Sequence, residues 1–145
     1  MNNCVFCEIL NGSQPCSLVY KDQLCTAFMD IQPVNPGHLL VIPNHHASDL
    51  SELDEATGAH LFQVAQRLAA ALRKSLVLCE GINLFLADGA VAGQEIFHVH
   101  LHVLPRFRGD GFGFKFSPEY FNRPQRLELD RIAKAIRDTI EDAGH

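Results

Sequence analysis

The sequence predicts an α+β fold: an antiparallel sheet of about five strands, one long helix packed on it, and a C-terminal helix. Three observations carry this. Leu18-Val19-Tyr20 and Thr26-Ala27-Phe28-Met29 are short strand-forming runs, and Lys21-Asp22-Gln23 between them is short enough to turn a hairpin. Leu61, Val64, Leu68, Leu72 and Leu76 fall on one face of a long helix. His98, His100 and His102 alternate with Val99, Leu101 and Val103. Residues two apart on a strand share a face, so the rings line one side and the aliphatic residues face the core. A helix would scatter the three rings over about 200 degrees.

Taken in order, the chain opens with Cys4-x-x-Cys7, and Glu8 to Gln14 ends in the turn signal Asn11-Gly12-Ser13. The hairpin strands follow. Asp30 to Gly37 is a loop set by Pro33, Pro36 and Gly37. His38-Leu39-Leu40-Val41-Ile42-Pro43 is apolar after its first residue and reads as a strand buried on both faces, with Asn44-His45-His46 leaving it. The long helix runs from Ser51 to about Cys79, as scaffold on the sheet face opposite the histidines. Gly81 closes it. Ile82 to Ala87 is a strand, and Asp88 to Gly93 is a small-residue loop whose glycines let backbone amides approach an anion. The histidine strand comes next, then the glycine-rich stretch Arg106 to Gly113. Leu129, Ile132, Ala133, Ile136 and Ile140 mark a C-terminal helix ending near Gly144.

At 145 residues the chain reads as a single domain over 1–145, with ordinary apolar (47%) and charged (20%) content. A net charge of -5 argues against general nucleic-acid binding and leaves room for a nucleotide in a local pocket. Met1-Asn2-Asn3-Cys4 has no basic start or apolar run, and no stretch is long enough to span a membrane. Five cysteines are an odd number, so they read as reduced thiols or metal ligands in a cytoplasm.

The histidine stretch carries the chemistry. A neutral imidazole is a good nucleophile toward phosphorus, and a covalent histidine intermediate divides one hard displacement into two easier ones. His100, flanked on its own face by His98 and His102, is the natural attacking ring. His102 can then stabilise charge or shuttle a proton, while amides around Gln94 to Ile96 serve the phosphate oxygens. The Cys4-x-x-Cys7 spacing commonly holds half of a zinc site.

Gly93-Gln94, then His-x-His-x-His with apolar spacers, then Pro105-Arg106, resembles the signature of the histidine-triad (HIT) family. The resemblance runs from Cys4-Val5-Phe6-Cys7 to about Phe114. It implies helices on an antiparallel sheet, a homodimer, and a hydrolase or transferase acting at the α-phosphate of AMP-type substrates: dinucleoside polyphosphates or nucleoside phosphoramidates with adenine or another purine. His100 matches the nucleotidylated residue, and His98 and His102 match the outer triad members. Gln94 matches a position near the phosphate and leaving group. Asp30 matches the ribose-holding position, Phe6 and Ile31 frame the base, and His38 stands beside the triad. Glu95 and Ile96 complete the implied substrate contacts. Cys4, Cys7, His46 and His98 match the structural zinc ligands of some members.

Two positions depart from the pattern. Ala87 stands where the family has an amide side chain, and Glu95 where it has Ser or Thr. A carboxylate donates no hydrogen bond, which points away from efficient phosphoramidate cleavage. Two rival readings follow from the same residues. One is a zinc-dependent hydrolase with all three histidines on the metal; the other is a non-catalytic nucleotide-binding or partner-binding module.

Overall fold

Every residue of Leu39–Pro43 is buried, because this strand (β3) has covered faces on both sides. Leu39 and Val41 point into one apolar cluster and Leu40 and Ile42 into another. The alternation places two small cores on opposite faces of one sheet. The computed structural model describes residues 3–140. The sheet has five antiparallel strands in the order β1-β2-β3-β5-β4: β1 is Leu18–Lys21, β2 Cys25–Met29, β4 Gly81–Leu86 and β5 Leu101–Arg106. The α+β expectation with about five strands holds.

The long helix, α2, spans Glu55–Lys74. It packs on β2, β3 and β5 through Leu61, Val64, Ala65, Leu68 and Leu72. It is shorter at both ends than the spacing predicts. Asp54 caps it by accepting from the Thr57 amide at 2.9 Å, and Ser51 sits in a separate short 3-10 turn, Leu50–Glu52. At the other end the Ser75 hydroxyl donates to the Leu72 carbonyl, the backbone turns extended, and Leu76 is left fully exposed. Gly81 therefore opens β4 rather than ending the helix.

Val5–Leu10 forms a six-residue helix, α1, where the sequence suggests only a cysteine pair and a turn. Its Phe6 fills the second core with Phe28, Leu40 and Ile42. Gly37, in the loop before β3, has φ +95, and a Cβ there would meet Val77 at 2.7 Å. The position needs glycine for conformation and for space.

The chain divides into two compact units, residues 1–112 and 113–145. The first holds the sheet, α1 and α2. The second holds a 3-10 turn, Pro118–Phe121, where Phe116 and Tyr120 stack at 4.0 Å, and the helix α3, Arg126–Arg137. On α3, Leu129, Ile132 and Ile136 share one side, and Lys134 pairs with Asp138. The helix end expected near Gly144 lies outside the described residues. No helix among the described residues is long and apolar enough to cross a membrane.

Candidate active site

The backbone carries the three histidines differently from a continuous strand. β5 begins at Leu101, so His102 alone of the three is a strand residue, and His98 to His100 approach it as irregular backbone. The Val99 amide donates to Ala47 rather than to a neighbouring strand. The face alternation survives, since Val99 and Val103 are both buried in the core on the α2 side. The rings separate into two environments.

His98 turns toward the N-terminus. Its Nε2–H donates to the Pro43 carbonyl at 2.9 Å, leaving Nδ1 as a lone-pair nitrogen. That Nδ1 lies 3.4 Å from Cys4 Sγ, 3.6 Å from Cys7 Sγ and 3.3 Å from His46 Nδ1, and Cys7 Sγ is 3.4 Å from His46 Nδ1. A tetrahedral zinc with usual bond lengths would separate two nitrogens by about 3.3 Å and a nitrogen and sulfur by about 3.5 Å. The four donors fit that geometry. α1 supplies the cysteines, since its first turn brings Cys4 and Cys7 together, and the segment after β3 supplies His46. Burial and the adjacent Cys4 sulfur push the Cys7 thiol up to about 11. A bound cation would reverse that logic by stabilising the thiolate.

His100 and His102 face a cavity of about 720 Å³ with Asp30, His38 and Phe85 on its walls. The His98 carbonyl lies 2.8 Å from His100 Nδ1. A carbonyl only accepts, so Nδ1 carries the proton and Nε2 carries the lone pair. A second chain of bonds sets the neighbouring ring. The Val34 amide donates to His38 Nδ1 at 3.1 Å, which makes His38 Nε2 the protonated nitrogen. That Nε2–H donates to His102 Nδ1 at 2.9 Å, leaving the His102 Nε2–H as the donor at the end of the chain. Burial, with His100 and His38 close by, lowers His102 to about 3, so it is neutral at neutral pH. Burial lowers His38 as well, partly opposed by Asp30 at 3.7 Å. Phe85 stacks on His102 with centroids 4.1 Å apart, a contact with no signal in the sequence beyond its place in an apolar strand. Phe6 meets His100 edge-on at 5.2 Å.

Most of the other expected residues meet at this cavity. Asp30 Oδ1 accepts the Gln32 amide at 2.8 Å, which leaves Oδ2 toward His38. Phe6, Ile31, Glu95 and Ile96 line the walls, and Ile31 stands almost fully exposed at the open edge. The Glu95 and Ile96 amides donate to no described residue. Gln94 differs. It is buried, and its side chain accepts from the Gly89 amide and donates to the Ser48 and Ile96 carbonyls. It staples the loop from beneath and is not on the cavity wall. Ala87 lines the wall as a bare methyl group. No metal-type cluster among the described residues collects all three histidines: His98 belongs with Cys4, Cys7 and His46, and His102 with Asp30 and His38. The three-histidine metal reading does not match this arrangement.

The HIT domain family model matches residues 11–109. The chain is 37% identical to the adenylylsulfatase HINT3 of Arabidopsis thaliana, over 93% of this chain and 66% of that protein. Among solved structures, a HIT family protein from Bacillus anthracis superposes with a TM-score of 0.89 at 37% identity, covering 97% of this chain and 99% of that one. A zinc-bound histidine triad family protein from Mycobacterium smegmatis superposes at 0.74 with 39% identity, covering 96% and 98%.

Proposed function

The chain belongs to the histidine-triad family, and on that footing we propose that it is a nucleotidyl hydrolase or transferase acting on AMP-type substrates through His100. The observation that carries this is the pair of fixed tautomers: an imidazole lone pair on His100 Nε2 beside an N–H donor on His102 Nε2. His100 Nε2 attacks the α-phosphorus and forms an N–P bond. The bond from phosphorus to the leaving group breaks, its electron pair departs with the leaving group, and that group takes a proton from solvent. The imidazolium so formed keeps its Nδ1 proton on the His98 carbonyl. The His102 Nε2–H hydrogen-bonds the phosphoryl oxygens, assisted by the Glu95 and Ile96 amides. Water then attacks phosphorus and releases a proton, and the N–P pair returns to His100. With another acceptor in place of water the same intermediate gives transfer.

Asp30 Oδ2 would accept from a ribose hydroxyl, and Phe6 and Ile31 would hold a purine. His38 acts through His102, and Gln94 acts by holding the loop; both are positioning residues. Cys4, Cys7, His46 and His98 would hold a structural zinc, which closes four donors and supplies no open coordination position. Its role would be to fix His98, whose carbonyl orients the nucleophile. The relative named as an adenylylsulfatase and the zinc-bound relative support the substrate class and the metal. We further propose a two-fold homodimer in a reducing, cytoplasmic compartment, where five unpaired thiols persist.

The test is intermediate trapping. Rapid quench at alkaline pH, followed by mass spectrometry, should find an adenylyl adduct on His100. His100→Ala should lose turnover by roughly a thousandfold or more while still binding AMP. Near-normal turnover by that variant would overturn the covalent mechanism at this residue. Nucleotide binding by the wild type without any turnover would make the protein a binding module.

A further inference from the structure

A second cavity of about 390 Å³ lies beside the first, and the two share Val5, Glu95 and Ile96. Glu95 is exposed, sits on both walls, and pairs with no cation among the described residues. Among the described residues, neither cavity is lined by a lysine or an arginine. Arg106 is turned to Asp110, at 2.6 Å, and to Asn83 and lies on neither wall. The charge available to a group leaving from this site is therefore negative.

This matters for what can leave. A polyphosphate or sulfate departs with its negative charge growing, and sites that release such groups stabilise them with Arg, Lys or metal cations. Here the formal charges on the described walls are two carboxylates, Asp30, directed at His38, and Glu95, shared with the second cavity, and both repel them. An amine bearing a positive charge meets the opposite field, and a carboxylate also favours the protonated nitrogen on which it departs. Losing a hydroxyl donor at position 95 slows departure of every leaving group. The charge then ranks them, and it ranks cations first. This ordering differs from the one drawn from the missing hydroxyl alone.

We propose that Glu95 is a specificity-determining residue that selects leaving groups by charge, so that the favoured substrate class is a nucleoside 5′-phosphoramidate whose amine carries positive charge. The inference rests on the nucleotidyl-transfer reading above and adds the leaving-group side to it.

Three substrates sharing one adenosine 5′-phosphoryl group test it: a phosphoramidate of 1,2-diaminoethane, one of propylamine, and adenylyl sulfate. They present cationic, neutral and anionic leaving groups. The quantity read is the ratio of kcat/KM between the two amines within each enzyme, which does not depend on how much of a variant is folded. In the wild type the cationic amine should lead the neutral one by about tenfold at low salt, and the lead should shrink with added salt. Glu95→Gln should bring the ratio close to one and raise adenylyl sulfate relative to both amines. Glu95→Lys should invert the ratio. An amine ratio unchanged within about twofold in both variants would overturn the charge selection while leaving nucleotidyl transfer intact. Absence of turnover on all three substrates in the wild type would overturn both readings.

Discussion

At the scale of single residues, hydrogen bonds fix which nitrogen of each ring in the candidate site holds a proton. His100 and His38 are set by backbone groups, the His98 carbonyl and the Val34 amide, and His102 is set by His38. Peptide groups do not titrate, so the His98 carbonyl and the Val34 amide keep their accepting and donating roles at any pH. The burial that keeps His102 neutral has a cost at low pH. Its folded value is about 3 against a usual 6.5, so above about pH 6.5 both folded and unfolded forms are neutral and nothing is lost. Below that, the unfolded chain takes up a proton that the folded chain refuses, and stability falls as pH drops toward the folded value. Each such histidine contributes a slope of up to about 1.4 kcal/mol per pH unit. Urea midpoints should therefore decline between about pH 6.5 and about pH 4, and His102→Phe, which keeps the stack on Phe85, should flatten that decline. Identical slopes for the two proteins would mean that His102 is not held neutral.

At the scale of elements, α1 is the part whose role is least visible in sequence. Six residues are too few to be helical alone. The helix stands because Phe6 is buried in the second core and because Cys4 and Cys7 reach His46 and His98 from elsewhere in the chain. A zinc at those four donors would tie α1, the end of β3 and the approach to β5 into one unit. At a thousandfold excess over its dissociation constant it would stabilise the fold by about 4 kcal/mol. Thermal melts with and without a strong chelator should show that loss, and Cys7→Ala should melt near the chelated wild type and respond little to chelator. Protein purified at neutral pH without chelator and found free of zinc by elemental analysis would end the metal proposal.

At the scale of the whole molecule, the first unit carries the sheet and every residue of the site, and the proposed homodimer concerns the molecule as a whole. Closed two-fold association is the common solution for small oligomers. Light scattering at micromolar concentration should return twice 16.1 kDa, and a particle of 16.1 kDa would refute the dimer.

The sequence by itself determined the sheet, the long helix and the shared face of the three histidines, while the residues expected around them came from the family resemblance. The sheet, the helix and the histidine face follow from period-two and period-3.6 patterning and from short turns, which are local. Tertiary structure decided what local pattern cannot encode. Strand pairing starts β5 at Leu101 because Val99 bonds to Ala47, across the chain, instead of joining a ladder. Side-chain capping shortened α2 at Asp54 and Ser75. Alternation put the three histidines on one face; folding sends His98 to the cysteines, the grouping the resemblance implies, and leaves His100 and His102 to the cavity. Gln94 carries a motif position but spends its hydrogen bonds on the loop, and the role proposed for Glu95 rests on two cavities with no lysine or arginine among their described lining residues. Ring tautomers and leaving-group charge depend on partners distant in sequence, and the fold alone sets those partners.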